Sequence, residues 1–165
     1  TLNLNSPTTT QVDREKLSWL EGLAGINAQE LSELLFSSGS IILSNRPEKV
    51  IRSDQKIYNQ GNFSYAVAQV EELGFNNFWK NQEALKAALR EHAESESILF
   101  SFLMVTDINT QNSLLLVEGN PEVSEAITYN RIRDRDVFDL PGIVSRKKQL
   151  IPYITSLLKS FESSE

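Results

Sequence analysis

Leu17, Leu20 and Leu23, with Trp19 among them, recur at helical spacing behind Thr10 and Asp13, either of which caps a helix start, and Gly22 and Gly25 stop the run. Asn27 caps a second predicted helix carrying Leu31, Leu34 and Leu35, broken by Ser37, Ser38 and Gly39. Pro47 opens a third, short helix through Val50 and Ile51. The pattern then changes period. "KIYN" and "FSYAVAQVEE" flank "NQGN", a hairpin in which Gly61 takes the turn's positive φ. In the second of these strands Phe63, Tyr65, Val67 and Gln69 face one way, and Ala66, Ala68 and Val70 the other. Residues 76 to 95 read as the longest helix, capped by Asn76 or Asn77, with Phe78, Leu85, Leu89 and His92 down one stripe.

"SILFSFLMVTDI" runs apolar without alternation, as a strand covered on both faces does, and so marks the sheet's centre. "NTQN" turns into "SLLLVEGN", another buried strand, and Pro121 begins a short helix through Val123 and Ile127. A charged stretch, "YNRIRDRDVFDL", leads through Pro141 and Gly142 to a last helix carrying Ile151, Ile154, Leu158 and Phe161. Helices before, between and after strands predict an α/β fold bordering on α+β: a mixed sheet of about five strands with helices packed on both faces.

Composition narrows the chemistry. The 165 residues are 40% apolar, enough for one sizeable core, and hold no run of eighteen apolar residues; no charged-then-apolar leader pattern is read, so neither a membrane span nor secretion is expected. A soluble, cytoplasmic protein is expected. Zero cysteines exclude disulfides and thiolate chemistry, and a single histidine, His92, leaves little for a transition metal. We read His92 as structural. A net charge of −6 opposes a surface tuned to nucleic acid, and no membrane partner is expected. Any anion site must be local.

One segment stands out against that acidity. In "LPGIVSRKKQLIPYI" Gly142 breaks the preceding strand, and Pro152 sits only near a helix start, so the helix is expected to begin close to Lys148. Ser145, Arg146, Lys147 and Lys148 then lie at a helix N-terminus, where free amides and the helix dipole favour an anion. Three cations there oppose the dipole unless an anion binds, and Arg146 offers a fork matched to phosphate. On this reading Arg146 faces ligand and adds almost nothing to folding. The alternative is a solvated patch.

The same string resembles the C-terminal signature of the manganese-dependent, family II inorganic pyrophosphatases and related exopolyphosphatases of the DHH phosphoesterase superfamily. "NSPTTT", "LAGI", "AQV", "VTDI" and "VEGN" extend the similarity along the chain, each weakly. What is similar is the DHH-associated C-terminal domain: residues 1–10 would be the end of a preceding DHH domain and a linker, and 11–165 a substrate-binding domain. The resemblance implies that Arg146 and Lys147 hold substrate phosphates, with Lys148, Gln149 and Ser145 in support. The family's further substrate lysine, in the loop after the second helix, aligns with Asn45, a departure, with Arg46 beside it. Manganese would be bound by the DHH domain and by no residue of this chain. Pyrophosphate or polyphosphate and the DHH domain are the implied partners, with a homodimer possible for the longer protein; by itself this chain would be inactive. Two other readings remain: a stand-alone polyphosphate-binding module, or an assembly domain.

Weaker candidates are Asp107, at a buried strand's end, where ligand binding competes with turn capping, and the pairs Glu71 with Glu72 and Glu94 with Glu96, read as solvated charge. Arg131, Arg133 and Arg135 are read as exposed or partly paired.

Overall fold

A computed structural model describes Leu4, residues 9–132 and residues 136–162. The linker expected over residues 1–10 therefore lies, but for Leu4, Thr9 and Thr10, outside the described residues.

Two helices open the chain. In α1 (Gln11–Ala24) Thr10 and Asp13 cap reciprocally: the Thr10 hydroxyl accepts from the Asp13 amide, and the Asp13 carboxylate accepts from the Thr10 amide at 2.8 Å. That bonding holds the Asp13 carboxyl below its usual range, the Thr10 hydroxyl contributing most. Gly25 ends the helix at φ 66°. Asn27 Oδ1 accepts from the Gln29 and Glu30 amides at the start of α2 (Ala28–Ser38). The leucine stripes of this pair meet no core: α1 buries no residue, and Leu17, Leu20, Leu23, Ile26, Leu31 and Leu35 line an open groove of about 560 Å³.

A helix that the sequence pattern did not reveal, α3 (Ile41–Ser44), precedes α4 (Pro47–Ser53). Then come β1 (Gln55–Gln60), β2 (Phe63–Glu72), α5 (Asn76–Ser95), β3 (Phe100–Asp107), β4 (Asn112–Gly119), α6 (Pro121–Ala126), β5 (Asn130–Arg131), β6 (Val137–Leu140), a π-helical turn (Arg146–Leu150) and α7 (Ile151–Glu162). The sheet among the described residues has six strands, one more than expected, in the order β1-β2-β3-β4-β6-β5. The addition comes from the charged stretch, whose ends pair as β5 and β6. Arg131 in β5 donates to Ser124 Oγ at 2.8 Å and lies 5.2 Å over the Phe138 ring, so it is partnered; Arg133 and Arg135 lie outside the described residues.

Among the described strands only β2 and β3 are parallel, in the register Tyr65↔Phe100 to Glu72↔Asp107, and α5 is the crossover that joins them. β3 is buried along all eight residues, as its unbroken apolar run demands. The alternation expected in β2 holds: Ala68 and Val70 pack with Ile42, Val50, Ile51, Phe78, Leu85 and Leu89 of α3, α4 and α5. Tyr65 and Val67 pack on the opposite face with Val123, Ile154 and Leu158 of α6 and α7. Helices thus cover both faces. Among the described residues no helix is long and apolar enough to cross a membrane.

Two expectations about α5 fared differently. Its cap position is Phe75, with no side-chain bond, rather than Asn76 or Asn77; Asn77 instead turns inward to Ser40 and Glu72. The stripe of Phe78, Leu85, Leu89 and His92 is buried as read. His92 Nδ1 has no hydrogen-bond partner, and burial first, then the nearby positive charge of Arg52, push the imidazole below its ordinary pKa against a smaller opposing pull from Glu96.

The unfolded chain therefore takes up the His92 proton first as pH falls. Stability from the neutral imidazole is present above about pH 6.5 and is lost below it, until the folded histidine protonates too. Melting temperatures compared between about pH 7.5 and about pH 5.5 should fall further for the wild-type chain than for His92→Gln. Parallel curves would show that His92 does not titrate with folding.

Gly119 supplies a second test. At φ 132° its added Cβ would run into the Leu99 carbonyl and reach Phe100 Cα at 3.0 Å, so backbone would have to move. Gly119→Ala should cost at least about 2 kcal/mol, read from the urea midpoint. A change within about 0.5 kcal/mol would mean that the strand end yields freely.

Candidate functional site

The cation-rich segment departs from an ordinary helix start. Leu150 N reaches Ser145 O at 3.3 Å and Ile151 N reaches Arg146 O, so the first turn is wound in the wide π form and begins at Arg146, two residues before the expected Lys148. Pro152 gives the reason: it has no N–H for the Lys148 carbonyl, and its ring would crowd that turn in a tight helix. Ser145 is the cap, its hydroxyl accepting from Lys148 N at 3.2 Å.

Gln149 holds the chain leading into the turn. Its Oε1 accepts from Val144 N at 3.1 Å and Ser145 N at 2.9 Å, and its Nε2 donates to Gly142 O at 3.0 Å. The sheet adds more ties to the same segment. Gln69 Nε2 donates to Val144 O at 3.2 Å, Ser113 Oγ to Ile143 O at 2.6 Å, and Gly142 N to Asn112 Oδ1 at 2.9 Å. Thr106 joins the first two, since its hydroxyl lies 3.1 Å from Gln69 Nε2 and 2.9 Å from Ser113 Oγ. Gln69, Thr106 and Ser113 were not singled out in the sequence; polar residues at the inward positions of otherwise apolar strands are the signal that marks them.

Arg146 is placed differently from the expectation. Its side chain is 8% exposed, whereas Lys147 and Lys148 point to solvent. Nη1 donates to the carbonyls of Asp54 and Val67, the latter at 3.1 Å, and Nη2 donates to Asp54 Oδ1 at 3.0 Å. Arg146 is thus a buried tie between the π-helical turn and the start of the β1–β2 hairpin, and its removal cannot be neutral for folding. The physical cause is spacing: Arg146, Leu150, Ile154 and Leu158 recur every four residues and are all buried on one side of the helix. Asp54 grips the Nη1/Nη2 end with carbonyl and carboxylate. The hydrogens left without an acceptor among the described residues are therefore those on the Nε/Nη2 edge, a parallel pair of the kind that matches two oxygens of a phosphate.

The second expected segment sits on the other face of the sheet. Asn45 ends α3 and spends its amide hydrogens locally, on Ile41 O at 3.0 Å and Ser44 Oγ at 3.1 Å. Arg46 is exposed, and among the described residues its carbonyl is engaged, by Lys49 N and Val50 N. No hydrogen bond or ion pair joins Asn45 or Arg46 to residues 145–149 among the described residues. The two segments are related through β2 and α4. Glu72, at the end of β2, accepts from Ser40 Oγ, Ile42 N and Asn77 Nδ2 and so anchors α3, while Asp54, at the end of α4, holds Arg146. Glu72 is 3% exposed, which corrects its reading as solvated charge; Glu71 beside it is exposed because neighbours on a strand face opposite ways. Glu94 and Glu96 are exposed as read. Asp107 is a turn cap, accepting from Gly74 N, Asn109 N and Thr110 Oγ1.

Among the described residues no group of three or more His, Cys, Asp or Glu is arranged to hold a metal ion.

Comparison with known proteins gives this geometry a context. The chain is 32% identical over 157 residues to a Staphylococcus carnosus protein named a probable manganese-dependent inorganic pyrophosphatase, covering 95% of this chain and 51% of that protein. A Methanocaldococcus jannaschii manganese-dependent inorganic pyrophosphatase is 31% identical over 92% of this chain and 50% of its own length. The chain therefore spans about half the length of the curated relatives it matches. A crystal structure of a Methanococcus jannaschii protein described as a family II inorganic pyrophosphatase superposes with a TM-score of 0.63 at 29% identity, over 93% of this chain and 49% of that one. The family model of the DHHA2 domain matches residues 33–157, most of the chain and all of the elements just described from α3 through the π-helical turn, so this protein belongs to the DHHA2 domain family.

Proposed function

We propose that residues 11–165 form the C-terminal, phosphate-clamping domain of a manganese-dependent phosphoanhydride hydrolase of the inorganic pyrophosphatase or exopolyphosphatase type, with residues 1–10 the end of a preceding DHH domain and its linker. One observation supports this above the others. In a chain of net charge −6, a capped turn carries Arg146, whose Nε/Nη2 edge has no acceptor among the described residues, next in sequence to two exposed lysines that make no ion pair among those residues. Cations spent on a solvated patch would not need a buried fork.

In the proposed complex the Arg146 edge takes two oxygens of one phosphate, and Lys147 and Lys148 neutralise charge as it grows on that group. Ser145 and Gln149 hold the backbone in place without touching the reacting atoms. Arg46 reaches toward the neighbouring phosphate where relatives of this type use the lysine lost at Asn45. The manganese of the relatives' names finds no ligand set among the described residues. This chain's share is accordingly confined to binding, orienting and, by closing over a DHH domain, excluding water. On the same reading the longer protein works in the cytoplasm, a reducing compartment that suits a chain without cysteine, and as a homodimer.

Calorimetry of this chain at low salt should show binding of pyrophosphate and of tripolyphosphate, weakened about tenfold by Lys147→Ala and by Arg46→Ala, each the loss of one charge-assisted contact. Equal affinity for pyrophosphate in the wild type and both variants would remove the clamp. The ratio of the two affinities separates a pyrophosphate site from one for longer chains.

Arg146→Ala should both abolish that binding and lower stability by about 2 kcal/mol, because the Val67 carbonyl and the Asp54 carboxylate lose their donor. Arg146→Lys should recover little of either, since one ammonium cannot span three acceptors. Full stability in Arg146→Ala by urea denaturation would show that the buried tie is dispensable.

A further inference from the structure

Asp54 belongs to no expected site, yet it is the residue on which the Arg146 geometry turns. It lies between the end of α4 and the start of β1, where the chain leaves the α5 face of the sheet for the edge strand. Its backbone carbonyl accepts from Gln69 N at 3.2 Å as well as from Arg146 Nη1, which fixes the peptide against β2. Its carboxylate, 54% exposed, then closes the fork through Nη2 at 3.0 Å. The Asp54 and Val67 carbonyls take the two in-plane hydrogens of Nη1 and so hold one corner of the guanidinium. Among the described residues the Asp54 carboxylate is the acceptor on Nη2, a second corner of the same plane, and its bond leaves the Nε–H and the other Nη2 hydrogen for a ligand.

We infer that Asp54 is a positioning residue for phosphate binding: by holding the Nη1/Nη2 end of Arg146 it turns the Nε/Nη2 edge toward the anion. The inference rests on the phosphate-clamp reading above and deepens it. It also ties the two basic segments into one unit, because α4, seven residues long, begins directly after Arg46 and ends at Asp54. A shift of one end of so short a rigid helix is transmitted to the other.

Electrostatics alone makes the opposite forecast, which allows a decisive test. A carboxylate beside an anion site repels the anion, so removing it should tighten binding unless the carboxylate does something for the cation that outweighs the repulsion. Pyrophosphate affinity is measured by calorimetry at low salt on the wild-type chain and on Asp54→Ala, Asp54→Asn and Arg146→Ala, with the Arg146 Nε–H resonance followed by NMR in the first three. Positioning predicts that Asp54→Ala weakens pyrophosphate binding about tenfold while the cooperative melt persists, and that Asp54→Asn, which keeps an acceptor at Oδ1, recovers most of the affinity. The Arg146 Nε–H signal should move on adding pyrophosphate in the wild type and in Asp54→Asn, and should broaden and lose that response in Asp54→Ala. Unchanged or tighter binding by Asp54→Ala, with Arg146→Ala still defective, overturns the role of Asp54 and leaves the clamp intact. Equal binding by wild type and Arg146→Ala, or none by either, overturns the clamp and with it the inference. If Asp54→Ala fails to melt cooperatively, Asp54→Asn decides: affinity no tighter than wild type with the Nε–H response kept supports positioning, and tighter binding, or a response lost with the fold intact, overturns it.

Discussion

A single parallel step in an otherwise antiparallel sheet governs how this domain is laid out. β2 and β3 run the same way, which obliges the chain to cross from the end of one to the start of the other, and the twenty residues of α5 make that crossing. Parallel neighbours also finish together. Glu71 and Glu72 on β2 therefore lie level with Thr106 and Asp107 on β3 at one end of the sheet, with Gln69 two residues back, while the hairpin partners β1 and β4 begin there. Carbonyls, amides and buried polar side chains at that end must find partners without the help of further ladder bonds. They find them in the loops: Glu72 in α3, Asp107 in its own turn, Gln69 and Ser113 in the segment entering the π-helical turn. The candidate site lies at the end where the sheet leaves polar groups for loops to pair, the carboxyl ends of its parallel strands, where ligands gather in open α/β sheets.

Arg146 then converts a docked loop into a fixed one. Burying a guanidinium is costly unless its donors are met, and here the carbonyls of Asp54 and Val67 and the Asp54 carboxylate meet three of its five N–H groups. The arrangement requires arginine, since a lysine's ammonium cannot lie in one plane with acceptors on two sides and still present a pair of parallel donors. It also requires the wide turn. A regular helix running into Pro152 would clash at the Lys148 carbonyl, and the π form relieves that crowding while leaving Arg146 on the buried stripe and Lys147 and Lys148 off it.

How much of this was legible follows from the same physics. β3 and α5 were plain because a strand covered on both faces and a long amphipathic helix write their burial directly into residue type. α3 was hidden because four residues do not complete a period, and β5 because two residues paired at an edge leave no pattern at all. Glu72 was misread as solvated by association with Glu71; continuing the strand alternation of Ala66, Ala68 and Val70 by one more step would have put it inward. Arg146 was misread by association with Lys147 and Lys148, although its spacing to Leu150, Ile154 and Leu158 was in the sequence. In both cases a run of like charges concealed a period. Asp54 carried no signal, because its importance comes from a partner ninety-two residues away.

The burial of Arg146 also bears on how a weakly attractive chain would select a polyanion. With a net charge of −6 there is no long-range field to concentrate phosphates, so selectivity has to come from short-range geometry. A solvent-exposed arginine loses roughly 2 kcal/mol of rotamer freedom when a ligand immobilises it. Held by Asp54 and the two carbonyls, Arg146 has given up that freedom on folding, and none remains to be lost on binding. Lys147 and Lys148 keep theirs, and with it the ability to follow a phosphate as its charge and position change. A fixed fork beside adaptable point charges would suit a group whose first phosphate must be located and whose second must be allowed to move, and on the proposed reading the Asp54 contact is the element that would separate the two roles.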